Sequence, residues 1–121
     1  MPQVFRLRKH ADYQRVYQAS RKQFSKQMSF FFAARPEGGN FTEPVPRVGL
    51  TVGKVMGKAV DRNRIKRRMR EAVRKNLPEL TAPVDVILHP RRSVIEMEFA
   101  ALCREVGQVF RTIEKAAGSR G

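Results

Sequence analysis

An α+β fold, with helices packed on a sheet, is what this sequence predicts, on three observations. Short apolar stretches of strand character occupy residues 28–34, 47–54 and 84–88. Apolar residues recur at three- and four-residue spacing near residues 9–19, 61–76 and 95–117, the period that puts one stripe of side chains on one side of a helix. The resulting order is helix, strands, helix, strand, helix, which suits helices laid against a sheet. At 121 residues, 41% of them hydrophobic, the chain is sized for one domain with one modest core.

Each element has its own signal. In the first helix Tyr13, Val16 and Tyr17 fall at i, i+3 and i+4 and share a face. Residues 28–34, MSFFFAA, are an aromatic-rich strand. Residues 35–46, with three prolines and two glycines, read as a loop joining two antiparallel strands. In the second of these, residues 47–54, Val48, Leu50 and Val52 alternate. Gly53 and Gly57 then loosen the chain. Over residues 61–76 Ile65, Met69, Ala72 and Val73 cluster on about one third of a helix circumference, with Asp61 as a cap or a favourable charge for the dipole. Pro78 lies just past that helix, where proline is common. Residues 84–88 read as a buried strand. Phe99, Leu102, Val106, Phe110 and Ile113 make a long amphipathic helix that covers the sheet. Gly107 inside it costs roughly 1 kcal/mol relative to alanine, which points to a bend or to close packing.

The charge distribution narrows the function. There are 25 Lys and Arg against 11 Asp and Glu, a formal charge of +14. Residues 1–76 hold 19 basic and 5 acidic residues, whereas residues 77–121 hold 6 of each, so the whole excess lies in the first two-thirds. That two-thirds reads as contact surface for a polyanion and the rest as scaffold. The single cysteine, Cys103, has no internal disulfide partner, as expected in a reducing compartment. No run of eighteen apolar residues and no apolar signal core is present, so the expectation is a cytoplasmic protein without a membrane partner.

The densest basic segment is the helix at 61–76 and its approach. From Lys54 to Lys75 there are ten basic residues and two acids, Asp61 and Glu71. A merely solvated helix face mixes signs, because like charges at i,i+4 repel. This one favours arginine, the residue suited to bidentate phosphate contacts. Nucleic acid is the partner that offsets the repulsion.

Here the sequence resembles a known family. KAVDRNRIKRRMREAVR, with Arg62, Asn63 and Arg64 at its centre, resembles the "RNR" signature of the bacterial ribonuclease P protein subunit. RVGLTVGK before it, LRKHADYQRVY near the start, and residues 84–92 after it resemble the family's flanking elements, so that the likeness spans about residues 6–116. The resemblance implies a single RNA-binding domain over residues 1–121. Its fold would be a four-stranded, mostly antiparallel sheet with flanking helices in the order α-β-β-β-α-β-α. A left-handed βαβ crossover, as in the second domain of ribosomal protein S5, would break the usual right-handed preference. It implies that Arg62, Asn63, Arg64, Lys66, Arg67, Arg68 and Arg70 face the catalytic RNA subunit. It further implies that Tyr13, Tyr17, Phe31 and Lys54 line a cleft for the single-stranded 5′ leader of precursor tRNA, where rings stack on bases. The same rings also suit simple core packing. Magnesium ions held mainly by RNA, one protein monomer per RNA and removal of the leader to give the mature tRNA end are implied as well. His89 and Pro90 stand where the family more often has small or aliphatic residues, Arg91 and Arg92 align with its basic pair, and the 36–46 loop exceeds a minimal hairpin.

A protein-borne active site is not expected. His10 and His89 are the only histidines and read as lone surface residues rather than an acid–base pair. The acids of the basic two-thirds, Asp12, Glu37, Glu43, Asp61 and Glu71, are spread over separate elements, unlike the convergent carboxylates of metal catalysis. Cys103 lacks a cysteine partner for zinc. No catalytic and no metal-ligating residue is therefore assigned, and nuclease activity is expected only of the assembly with RNA. A structural RNA binder such as a ribosomal protein explains the charge but not the paired aromatics. A DNA-binding helix in the major groove requires a helix-turn-helix pair or dimer interface, and neither is apparent.

Overall fold

Three consecutive phenylalanines dictate how the sheet is covered. Phe30, Phe31 and Phe32 lie in one strand, whose side chains alternate between faces, so both faces are apolar and both need a cover. The computed structural model describes residue 7, residues 9–34 and residues 46–118. Its elements are α1 (His10–Ala19), β1 (Gln23–Phe24), β2 (Met28–Ala34), β3 (Arg47–Leu50), α2 (Ala59–Asn76), β4 (Val84–Pro90) and α3 (Phe99–Gly118). Short 3-10 turns stand at Lys54–Met56, Leu77–Glu79 and Arg92–Ile95. The fold is an α+β domain with a mixed four-stranded sheet in the order β1-β2-β4-β3. β2 pairs antiparallel with β1 and β4, and β3 pairs parallel with β4.

The two faces are filled differently. Phe30, Val86 and Leu88 pack with Ile65 and Met69 of α2 and with Leu102, Val106 and Phe110 of α3 in the main core. On the opposite face α1 lays Val16 against Ile87 and Leu7, with Tyr13, Tyr17, Phe31 and Ala33 partly buried around them. Gly107 resolves as close packing of α3 on the end of α2: a Cβ there would stand 2.7 Å from Asn76 Oδ1. The Asn76 amide donates to the Ala72 and Cys103 carbonyls at 2.8 and 2.9 Å, tying the two helices together. Buried Glu105 of α3 accepts from the Ser25 hydroxyl and from the Gln27 backbone N–H, fastening the turn between β1 and β2.

Four expectations are corrected. The strands flanking residues 35–46 are antiparallel in direction but are not neighbours, because β4 inserts between them. β4 is buried at every position except His89, and a strand apolar on both sides belongs inside the sheet rather than at its edge. Strand β1 completes the three strands that the family order puts before α2, although at two residues, Gln23 and Phe24, it has no periodicity by which to locate it in the sequence. β3 stops at Leu50 rather than Lys54, and α3 starts at Phe99 after a 3-10 turn rather than at Ile95. Asp61 does not cap α2, whose N-cap is Lys58 without a side-chain bond. It stands in the first turn, where a negative charge favours the dipole, 3.5 Å from Arg92.

Candidate nucleic-acid interface

α2 buries Ile65, Met69, Ala72 and Val73 and turns its charge outward. Asn63, Arg64, Arg67 and Arg70 are exposed, and Arg62 and Lys66 are partly covered. The Arg62 Nε is buried without a hydrogen-bond partner. Arg68 is different: it reaches behind the helix, where its Nε donates to the Val94 carbonyl at 3.1 Å and a terminal nitrogen to the Met97 carbonyl. Its guanidinium also stands 6.0 Å from the centre of the Phe99 ring. Those contacts make Arg68 a brace between α2 and the approach to α3. Arg74 pairs with Glu71 on the surface.

The second surface lies between α1 and the sheet. Tyr13 and Tyr17, one helical turn apart, have ring centres 6.5 Å apart, and Tyr17 meets Phe31 edge-to-face at 4.8 Å. The three aromatic residues singled out from the sequence are thus brought together. The Tyr13 hydroxyl donates to the Leu7 carbonyl at 3.2 Å. Its ring lies so close to β3 that a Cβ at Gly49 would come 2.7 Å from the ring carbon bearing the hydroxyl. Lys54 is exposed in the turn after β3, a short distance in sequence beyond Thr51, whose hydroxyl is 3.4 Å from that of Tyr17.

His89 is not a lone surface histidine. It is partly buried at the end of β4, its Nε2 is 2.8 Å from the Tyr17 hydroxyl, and its ring centre is 5.4 Å from that of Phe31. Burial pushes the imidazole below its ordinary value, and the nearby Lys22 charge adds to the effect. The parity of β4 held the signal, since His89 shares its face with Ile87 and Asp85. His10, exposed at the start of α1, lies seven residues before Tyr17, roughly 10 Å along the helix, and does not join it.

Asp85 was also missed. It is fully buried and accepts from Arg15 of α1 and from Arg47 of β3, the latter through two bonds of 2.8 and 2.7 Å. Arg15 donates in addition to the Ala34 carbonyl at 3.1 Å, and Asp12 lies 3.5 Å from Arg47. A carboxylate inside VDVIL demands a cationic partner, but only the fold says which cation supplies it. A cleft of about 140 Å³ joins the two surfaces, lined by Leu7, Tyr13, Gly49 and Leu50 on one side and by Lys66 and Arg70 of α2 on the other. Among the described residues no group of three His, Cys, Asp or Glu is placed to hold a metal ion. No helix among them is long and apolar enough to cross a membrane.

The sequence profile of the family described as Ribonuclease P matches residues 1–114. The chain belongs to the bacterial ribonuclease P protein family. It is 36% identical over 102 residues to the ribonuclease P protein component of Syntrophus aciditrophicus (strain SB), covering 84% of this chain and 81% of that protein. It is 32% identical over 111 residues to that of Geobacillus kaustophilus (strain HTA426), covering 92% and 88%. The solved RNase P protein of Staphylococcus aureus superposes with a TM-score of 0.70 at 27% identity, over 93% of this chain and 97% of that one. The RNase P protein of Thermotoga maritima shares the fold, with a TM-score of 0.71 at 23% identity, over 88% and 96%. As a ribonuclease P protein component, the chain is part of a holoenzyme that processes tRNA.

Proposed function

We propose that this chain serves ribonuclease P through two surfaces that meet at β3. The outer face of α2, with Arg62, Asn63, Arg64, Lys66, Arg67 and Arg70, binds phosphates of the catalytic RNA, and Arg68 braces the helix from behind. The groove between α1 and the sheet, with Tyr13, Tyr17, Phe31 and nearby Lys54, takes the 5′ leader of precursor tRNA as a single strand. Aromatics beside cations hold such strands with little regard to sequence. The observation that carries this reading is the edge-to-face pair of Tyr17 and Phe31, only partly buried, beside a helix whose outer face is cationic.

The protein contributes binding, and RNA performs the hydrolysis. Asp85 is engaged by two arginines and Asp61 faces Arg92, so these carboxylates do not fit a magnesium site. The ions of the holoenzyme are held by RNA in this reading, and the protein alone does not cleave. One copy acts per RNA, as a single RNA-binding domain in the cytoplasm.

Affinities of the reconstituted holoenzyme for precursor and mature tRNA test the groove. A stacking aromatic contributes about 1–3 kcal/mol per base. Tyr17→Ala and Phe31→Ala are therefore expected to weaken precursor binding about fivefold to a hundredfold, with little change for mature tRNA. Equal losses on both substrates, with a large fall in melting temperature, would return the rings to the core.

A further inference from the structure

The register of the sheet extends the groove toward its edge. Phe24 of β1 pairs with Ser29 of β2, and Ser29 pairs with His89 of β4. The Thr51 N–H donates to the Leu88 carbonyl, one step beyond the Leu50–Leu88 pair, so Thr51 stands beside His89. Residues opposite one another in a sheet point to the same face. Phe24, Ser29 and His89 therefore form one row across β1, β2 and β4, which Thr51 continues just past the end of β3. Phe31 and Ile87, paired with each other in the next row on that face, pack against α1. Tyr17 meets the Phe24 row at His89 and Thr51. On the far side the row ends at Phe24, which is 65% exposed.

An exposed phenylalanine on a two-residue edge strand does nothing for the core. The Lys22 ammonium stands over its ring, 5.5 Å from the ring centre. Arg21, Lys22 and Lys26 are all exposed around it, so the local charge suits a polyanion. Strands stand about 4.8 Å apart, which puts Phe24 and His89 roughly 10 Å from each other across β2, a short step for an extended strand. Four-stranded sheets that offer aromatics to successive unpaired bases are a recurrent mode of RNA binding. His89 between them is held below its ordinary pKa by burial and by Lys22, so near neutrality it presents an uncharged ring.

We propose that Phe24 is a second base-stacking platform: the RNA strand held at Tyr17 and Phe31 continues over His89 and places a further base on Phe24, while Lys22 turns from the ring to the phosphate beside it. The inference rests on the groove reading above and adds the direction in which the strand leaves. It makes the contribution of Phe24 depend on leader length, whereas that of Phe31 is already made with a short leader.

Holoenzyme reconstituted with ribonuclease P RNA and Phe24→Ala, Phe24→Tyr or Phe31→Ala protein tests this, using precursor tRNAs whose leaders are shortened stepwise from the 5′ end. Phe24→Ala is expected to bind short-leader substrate and mature tRNA like the unaltered protein and to lose about fivefold or more once the leader is long enough to reach β1. Phe24→Tyr keeps full affinity, and neither change moves the melting temperature. Phe31→Ala loses affinity at short leader lengths too. If Phe24→Ala matches the unaltered protein at every length while Phe31→Ala is weakened, the platform is overturned and the groove stands. A loss with Phe24→Ala that is equal for mature tRNA also overturns it. If neither variant is weakened, the groove and its extension fail together.

Discussion

The two faces of this sheet differ in how they are closed. The face under α2 and α3 is sealed by apolar side chains, among them Ile65, Met69, Leu102, Val106 and Phe110, none of them exposed. Among the described residues, the buried apolar cluster under α1 is the smaller one, made of Leu7, Val16 and Ile87. Around them Tyr13, Tyr17, Phe31 and Ala33 are only partly buried, and polar contacts complete the attachment: buried Asp85 with Arg15 and Arg47, and the Tyr17 hydroxyl with His89. Hydrophobic burial is non-directional and scales with area, so it suits the face that only has to hold. Ion pairs and hydrogen bonds are directional and position rings, so they suit the face on which aromatic side chains stay partly open.

The largest expected effect breaks the sealed face. Phe110→Ala removes a fully buried ring and should cost about 3–5 kcal/mol of stability, read as a lower denaturant midpoint. Where the variant is still folded, its relative affinity for precursor and mature tRNA should be unchanged. Asp85→Ala attacks the other face. It leaves Arg15 and Arg47 without their buried partner, but both retain some contact with water, so the loss should be smaller, about 2–3 kcal/mol. Unlike Phe110→Ala, it should also weaken precursor binding selectively, because α1 and its tyrosines lose their anchor. A selective effect in the first variant and none in the second would invert the comparison.

A pH titration is the next smaller test. The His89 imidazole lies below its ordinary value of 6.5 in the folded protein, because it is buried and faces Lys22. As pH falls through that value the unfolded chain takes up the proton first, so stability is full above about 6.5 and declines below it. His89→Gln should flatten this slope between about pH 6.5 and the lower folded value, measured by denaturant midpoints at a series of pH values. An unchanged slope would place the titrating group elsewhere. The smallest effect on stability is expected from Arg64→Glu or Arg67→Glu. Both side chains are exposed, so folding should change by no more than about 0.5 kcal/mol. Affinity for the catalytic RNA should nevertheless fall, and its salt dependence should flatten by about one phosphate contact. Unchanged affinity and slope in both variants would contradict the assigned face of α2.

What could be read from the sequence follows from how local each signal is. The stripe Ile65, Met69, Ala72, Val73 repeats within a few turns, and α2 appears with that stripe buried. The strand at 28–34 and the grouping of Tyr13 with Tyr17 are local in the same sense. Arg67 and Arg68, by contrast, are adjacent and chemically identical, yet one is exposed and the other donates to Val94 and Met97, more than twenty residues away. Gly107 signalled close packing in the sequence, but that it packs on Asn76, and that Asn76 bonds Cys103, is legible only once α3 is laid against α2.

The sequence by itself determined the fold class, the helices and their apolar faces, the strong basic bias of the first two-thirds and, through its likeness to a family, the enzyme the chain belongs to. Only the tertiary structure decided that β4 lies between β2 and β3, that Asp85 takes Arg15 and Arg47, that His89 meets Tyr17, and that Phe24 shares their row. The physical reason is range. Helical and strand periodicity is set by neighbours a few residues apart. Strand order and the choice of partner for a buried charge are set by groups as far apart in the chain as Arg15 and Asp85, which meet only when the sheet closes beneath α1.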